Sequence, residues 1–114
     1  MKICEIQKLL NAEVLTCKND LDRDVRSACG SDMMSDVLAY VKDQAVLLTG
    51  LVNMQVIRTA EMMDMVCVVF VRNKVPSDDI LLLAESKNIV VMKTEERMFD
   101  ACGILYAAGL RKGE

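Results

Sequence analysis

The sequence predicts an α/β fold, a single-domain, mostly parallel sheet of about five strands flanked by helices, spanning residues 1–114. Three observations predict it. Short apolar runs end in small polar residues that each open a helix-patterned stretch, and strands alternating with helices imply parallel pairing through right-handed crossovers. One of those runs, Met65–Val71, is apolar at both parities, so it reads as a central strand covered on both faces. No linker, repeat or biased segment interrupts the alternation.

The elements follow in order. Ile3, Ile6, Leu9 and Leu10 form a helical stripe over residues 2–10, ending near Asn11. Glu13–Thr16 is a short strand candidate, and the charged stretch from Lys18 to Asp24 is a turn. Strand Val25–Cys29 leads through Gly30-Ser31-Asp32 into a helix over Met33–Val41. Strand Ala45–Leu48 leads through Thr49-Gly50 and Asn53 into Met54–Met63, with Val56, Ile57, Ala60 and Met63 facing inward. The central strand leads through Arg72-Asn73-Lys74 into Ser77–Lys87, with Ile80, Leu83 and Ala84 inward and Asn88 as a left-handed stop. Strand Ile89–Met92 leads through Lys93-Thr94 into Glu95–Ala108. In that last helix Met98, Phe99, Cys102, Leu105 and Tyr106 follow one-face spacing, the strongest amphipathic signal in the chain.

Composition narrows the function. A chain of 114 residues that is 53% hydrophobic, with one Pro and five Gly, is a folded domain rather than a disordered one. Its size suffices to bury roughly 65% of the unfolded surface. Its longest apolar run is far shorter than the ~20 residues that span a bilayer. Charges among the first five residues give no signal-peptide pattern, so a cytoplasmic location and no membrane partner are expected. A net charge of −3 without a Lys/Arg run argues against nucleic acid. The five cysteines show no close pairing, which fits a reduced compartment. Cys29, Cys67 and Cys102 sit among apolar neighbours and read as core, whereas Cys17, before a charged turn, reads as the exposed thiol.

A parallel sheet places all four polar loops along one edge, where such folds hold ligands. Gly30, Ser31 and Asp32, with Ser35 and Asp36 one turn further, present a helix start suited to a polar ligand. The alternative is that Ser31 caps the helix and Asp32 complements its dipole. Thr49 and Gly50 permit close backbone approach, and Asn53 is a helix cap. Arg72 and Asn73 bring positive charge to the same edge, able to balance Asp32 or pair with a ligand anion. Ser77-Asp78-Asp79 and Thr94-Glu95-Glu96 read as structural helix starts. Asp20, Asp22 and Asp24 have the spacing of a calcium loop, but Val25 and Ser31 stand where its Gly and Glu belong. No metal or other cofactor is therefore expected.

The chain contains no His, so the usual general base is missing and a thiol nucleophile lacks its partner. A non-enzymatic role follows. Nine methionines include the adjacent pairs Met33-Met34 and Met62-Met63. Helix neighbours cannot share one buried face, so one of each pair is expected near the surface. An apolar patch built that way suits a homodimer seam or a partner enzyme.

The order of elements resembles the DRTGG domain family from Ile3 to about Leu110. The clearest parts are Gly30–Ala39, the central strand leading to Pro76-Ser77-Asp78-Asp79, and Asn88–Met92 followed by a Thr and a helix. The resemblance implies an α/β fold, dimerisation and a regulatory, ligand-sensing role, as in inserts beside CBS domains in certain pyrophosphatases. The family's Asp-Arg pair falls near Leu51-Val52-Asn53 and its Thr-Gly-Gly near Val71-Arg72-Asn73, and neither is kept here. Two expectations result. One is a sensor of a polar metabolite or nucleotide, with Ser31, Asp32, Asn53 and Arg72 lining its site. The other is a docking module for a partner enzyme.

Overall fold

In the computed structural model, which describes residues 1–41 and 44–113, five strands form one sheet in the order β1-β5-β4-β3-β2. The strands are β1 (Glu13–Val14), β2 (Ser27–Gly30), β3 (Ala45–Thr49), β4 (Cys67–Phe70) and β5 (Val90–Lys93). Strands β2 to β5 pair in parallel, and β1 adds the single antiparallel pair, Glu13 opposite Lys93. The apolar run over Met65–Val71 is wholly buried, and its strand β4 is the middle one. Thr16, just past β1, continues the stitching to β5. Its hydroxyl donates to the Ile89 carbonyl at 2.7 Å and accepts from the Val91 N–H at 2.8 Å.

The helices are α1 (Ile3–Leu10), α2 (Met34–Tyr40), α3 (Met54–Met62), α4 (Asp78–Ser86) and α5 (Met98–Ala107). Because β2 to β5 advance across the sheet in one direction, right-handed crossovers put α2, α3 and α4 on one face. Met34, Val37, Val56, Ile57, Ala60, Ile80 and Ala84 fill the core there. Helices α1 and α5 cover the other face, with Ile3, Ile6, Leu10, Ala101 and Leu105 packed on Val46, Leu48 and Val69.

Four helix ends share one device. Asn11, Asp64, Asn88 and Gly109 follow α1, α3, α4 and α5 with φ of 48°, 54°, 58° and 112°. In each case the next residue's N–H reaches five residues back: Ala12 to Gln7, Met65 to Ala60, Ile89 to Ala84 and Leu110 to Leu105. This is the Schellman closure, and the residue after the left-handed one is buried every time, which anchors the reversal in the core.

The structure corrects three expectations. The last helix buries only part of the stripe its spacing suggested: Leu105 faces inward with Ala101, which lies outside the stripe, while Phe99 is 87% exposed and Tyr106 61%. Cys17 is only 5% exposed, because its thiol turns in to donate to the Glu85 carboxylate at 3.3 Å. Ser31 does not cap α2. That helix starts at Met34 with Met33 as its N-cap residue, and Ser31 Oγ accepts instead from the Met33 N–H at 3.0 Å. Of the core thiols, Cys67 is buried, while Cys29 and Cys102 are half-buried.

Candidate functional site

The C-terminal ends of β2, β3, β4 and β5 lie along one edge, each followed by one of the polar loops. Ser31 N–H continues the sheet by donating to the Leu48 carbonyl at 3.0 Å, which sets the loop before α2 beside the end of β3. Asp32 then turns toward that strand end. Its Oδ1 accepts from Thr49 Oγ1 at 3.0 Å and from the Gly50 N–H at 2.7 Å. Thr49 Oγ1 also accepts from the Leu51 N–H at 3.1 Å, so the turn after β3 is fixed on both sides. A side chain at Gly50 would collide with the Arg72 guanidinium, which reaches over this glycine from the end of β4. Asp32, Thr49, Gly50 and Arg72 are thus brought together, with Ser31 and Gly30 adjoining.

The other sequence candidates are placed differently. Asn53 caps α3, its Oδ1 accepting from the Val56 N–H at 3.2 Å. Ser35 and Asp36 are exposed in the first turn of α2. Asn73 turns away toward β5, where its Oδ1 accepts from Lys93 Nζ at 3.3 Å. Thr94 does not open α5, whose N-cap residue is Arg97. Its hydroxyl donates to the Leu10 carbonyl at 2.7 Å and accepts from the Glu96 N–H at 3.2 Å, tying the loop to α1.

In open parallel sheets a crevice opens between strands whose following helices leave to opposite faces. Here α4 leaves β4 toward one face and α5 leaves β5 toward the other, so that place lies between Arg72-Asn73 and Lys93-Thr94. Two backbone bonds draw the loops together there: Arg72 N–H to the Glu96 carbonyl at 2.8 Å and Asn73 N–H to the Thr94 carbonyl at 2.7 Å. Both donors come from left-handed residues, φ 59° and 55°, at the positions where the resemblance places a Gly-Gly pair. Positive φ of this kind is the conformation natural to glycine. Beside the crevice, toward β1, lies a polar pocket of about 160 Å³ lined by Asn11, Glu13, Asn73, Lys93 and Glu95.

Four of the thiols are held back from the thiolate form. Burial, aided by the facing Glu85 carboxylate, pushes Cys17 up to about 11. Burial also raises Cys29, with Cys102 and Asp36 adding to it, and raises Cys102 itself. Among the described residues, no three His, Cys, Asp or Glu side chains group to hold a metal ion. No helix among them is long and apolar enough to cross a membrane.

The concave regions around α5 and the C-terminal tail carry no signal in the loop pattern of the sequence. A groove of about 540 Å³ runs between β2 and α5, with Tyr106, Leu110, Arg111 and Lys112 on its far side. The Gly109-Leu110 ending was its signal, since a Schellman turn returns the chain toward the sheet.

Comparison with known proteins bears on the whole chain. A search of the curated proteins finds no match. Among solved structures, the fold matches the CBS and DRTGG domains of the regulatory region of Clostridium perfringens pyrophosphatase, crystallised with its activator, diadenosine tetraphosphate. The TM-score is 0.76 at 18% identity, covering 91% of this chain and 45% of that one, so this chain spans under half the length of its neighbour. The model of the DRTGG domain matches residues 5–108, from the first turn of α1 to the end of α5. With its elements matched from first helix to last, the chain belongs to the DRTGG domain family.

Proposed function

We propose that residues 1–114 work as one non-enzymatic regulatory domain, a homodimer in the cytoplasm, that senses a polar metabolite or nucleotide at the C-terminal edge of its sheet. The observation that carries this reading is the fold shared, through the DRTGG domain, with a regulatory region that binds diadenosine tetraphosphate as activator. The local geometry supports it. Arg72 is an exposed cation above a glycine, and Asp32 braces the two turns on which a ligand would rest. The absence of His and the raised thiols support a binding role over a catalytic one.

A second reading, docking of a partner enzyme through methionines, is favoured by the exposure of Met33 (60%) and Met62 (70%). Their neighbours Met34 and Met63 are buried and half-buried. Met33 precedes α2 and Met62 ends α3, at opposite ends of that layer, so one partner would have to cover its length.

Thermal unfolding against a panel of nucleotides and central metabolites separates the two. A ligand at about 100 times its Kd adds roughly 2.7 kcal/mol, a rise of roughly 10 °C in Tm for a domain of this size. The expected result is a selective rise that Arg72→Ala removes while the unliganded Tm stays within a few degrees. A flat response, or a rise that survives Arg72→Ala, overturns the edge site.

A further inference from the structure

We propose that the groove between β2 and α5 binds a small molecule with a flat apolar body and an anionic group. The walls of this groove follow from the last helix end. Gly109, at φ 112°, closes α5 with bonds to Tyr106 and from Leu110 back to Leu105. Leu110 is thereby buried, and the chain returns along the sheet until the Ala28 N–H of edge strand β2 donates to the Arg111 carbonyl at 2.9 Å. The tail and α5 thus stand on either side of a furrow floored by Ala28, Gly30 and Leu48.

Gly30 lets α5 pack closely on the end of β2 and so sets the wall of the groove. A Cβ there would lie 2.5 Å from Cys102 Sγ and 3.2 Å from Met98 Sδ, so a side chain would crowd the α5 wall. The volume of about 540 Å³ lies within the ~300–1,000 Å³ typical of small-molecule sites, which are mostly apolar with a few placed polar groups.

Charge selects the ligand. The chain carries a net charge of −3. Yet among the described residues the charged groups lining this groove are Arg111 and Lys112, and no described carboxylate lines it. The Arg111 guanidinium is held in place, 3.8 Å above the centre of the Tyr106 ring, with Nη1 donating to the Tyr106 and Leu110 carbonyls. A guanidinium fixed on an aromatic face is a pre-organised partner for an anion, and the apolar lining of Ala28, Leu48, Leu105 and Leu110 is where a flat body packs. Asp32, Gly50 and Arg72 do not line the groove. Gly30 is the one edge candidate that also lines the groove, and the residues that would hold a ligand at the edge do not.

The probe is anilinonaphthalene sulfonate, whose fused rings and sulfonate match the chemistry, with neutral phenylnaphthylamine as its uncharged twin. Fluorescence titration of the folded protein is expected to give saturable one-to-one binding of the sulfonate. Arg111→Glu should weaken it at least about tenfold while changing the neutral twin less than about twofold. Ala28→Leu, which fills the floor, should abolish binding of both, and Arg72→Ala should change neither. Circular dichroism checks that each variant is folded; if Ala28→Leu is not, Arg111→Glu with the two probes still decides. Absence of saturable binding, or sulfonate binding untouched by Arg111→Glu, overturns the proposal. Loss on Arg72→Ala instead would move the ligand to the sheet edge.

Discussion

Asp32 commits its carboxylate to the neighbouring strand end rather than to the helix that follows it. From sequence it reads as a first-turn acid or a ligand contact. In the fold one of its oxygens accepts from both the hydroxyl of Thr49 and the N–H of Gly50. That bond spans seventeen residues of chain, a distance at which no local pattern signals contact. Hydrogen bonds to a charged acceptor contribute about 1.5–3 kcal/mol, less where water competes, as it does at this exposed residue. Asp32→Ala is therefore expected to destabilise the domain by about 1–2 kcal/mol in urea unfolding, and Asp32→Asn by less, since an amide oxygen can still accept. An Asp32→Ala midpoint equal to that of the parent chain would mean the two turns hold without the brace. Arg72 illustrates a second kind of residue that sequence reads only in part. Its charge and its place at the edge are legible, but its left-handed backbone is not, because Arg rarely adopts one.

At the scale of elements, the Schellman endings decide where the chain reverses, and they vary in how well their residue suits the task. Gly109 adopts positive φ without steric cost, and Asn11 and Asn88 tolerate it. Asp64 does so less readily at φ 54°, with its N–H already bonded to the Glu61 carbonyl at 3.2 Å. Asp64→Gly keeps that bond and relieves the Cβ clash, so a gain of about 0.5–1 kcal/mol is expected, seen as a Tm higher by roughly 3–5 °C. A lower Tm would mean that the added freedom of glycine in the unfolded chain outweighs the relief. The elements themselves were largely legible, since strands buried on both faces are continuous apolar runs and helices α3 and α4 carry clear inward stripes. Helix α5 was legible as a helix but not in its orientation. Met98, Phe99, Cys102, Ile104, Leu105, Tyr106 and Ala107 leave it apolar on nearly every side, so spacing alone cannot choose the buried face. The choice is made by the sheet, which has room for Ala101 and Leu105 but leaves Phe99 outside.

For the molecule as a whole, the thiols that sequence reading sorted into core and surface respond to the fold in one direction. Cys17 fastens the loop after β1 to α4 through Glu85, and Cys67 lies fully buried at the start of the middle strand. Both are raised from an ordinary value of 9.0, Cys17 to about 11 and Cys67 beyond it, chiefly because burial disfavours the thiolate. Cys29 and Cys102 shift the same way for the same reason. The sign follows from proton binding. Between the unfolded and folded values the unfolded chain has lost these protons and the folded chain has kept them, so stability falls as pH rises. The domain should hold a nearly constant Tm from neutral pH to about pH 8, then lose stability from about pH 9 upward. Cys17 contributes about 1–2 kcal/mol to that loss by pH 11. Cys17→Ser isolates it, because a hydroxyl can still donate to Glu85 but does not titrate in this range. The variant should match the parent at pH 7 within about 1 kcal/mol and fall less steeply between pH 9 and pH 11. Parallel curves for the two proteins would mean that the thiol of Cys17 ionises as readily in the folded chain as in the unfolded one, and that its bond to Glu85 does not persist in solution.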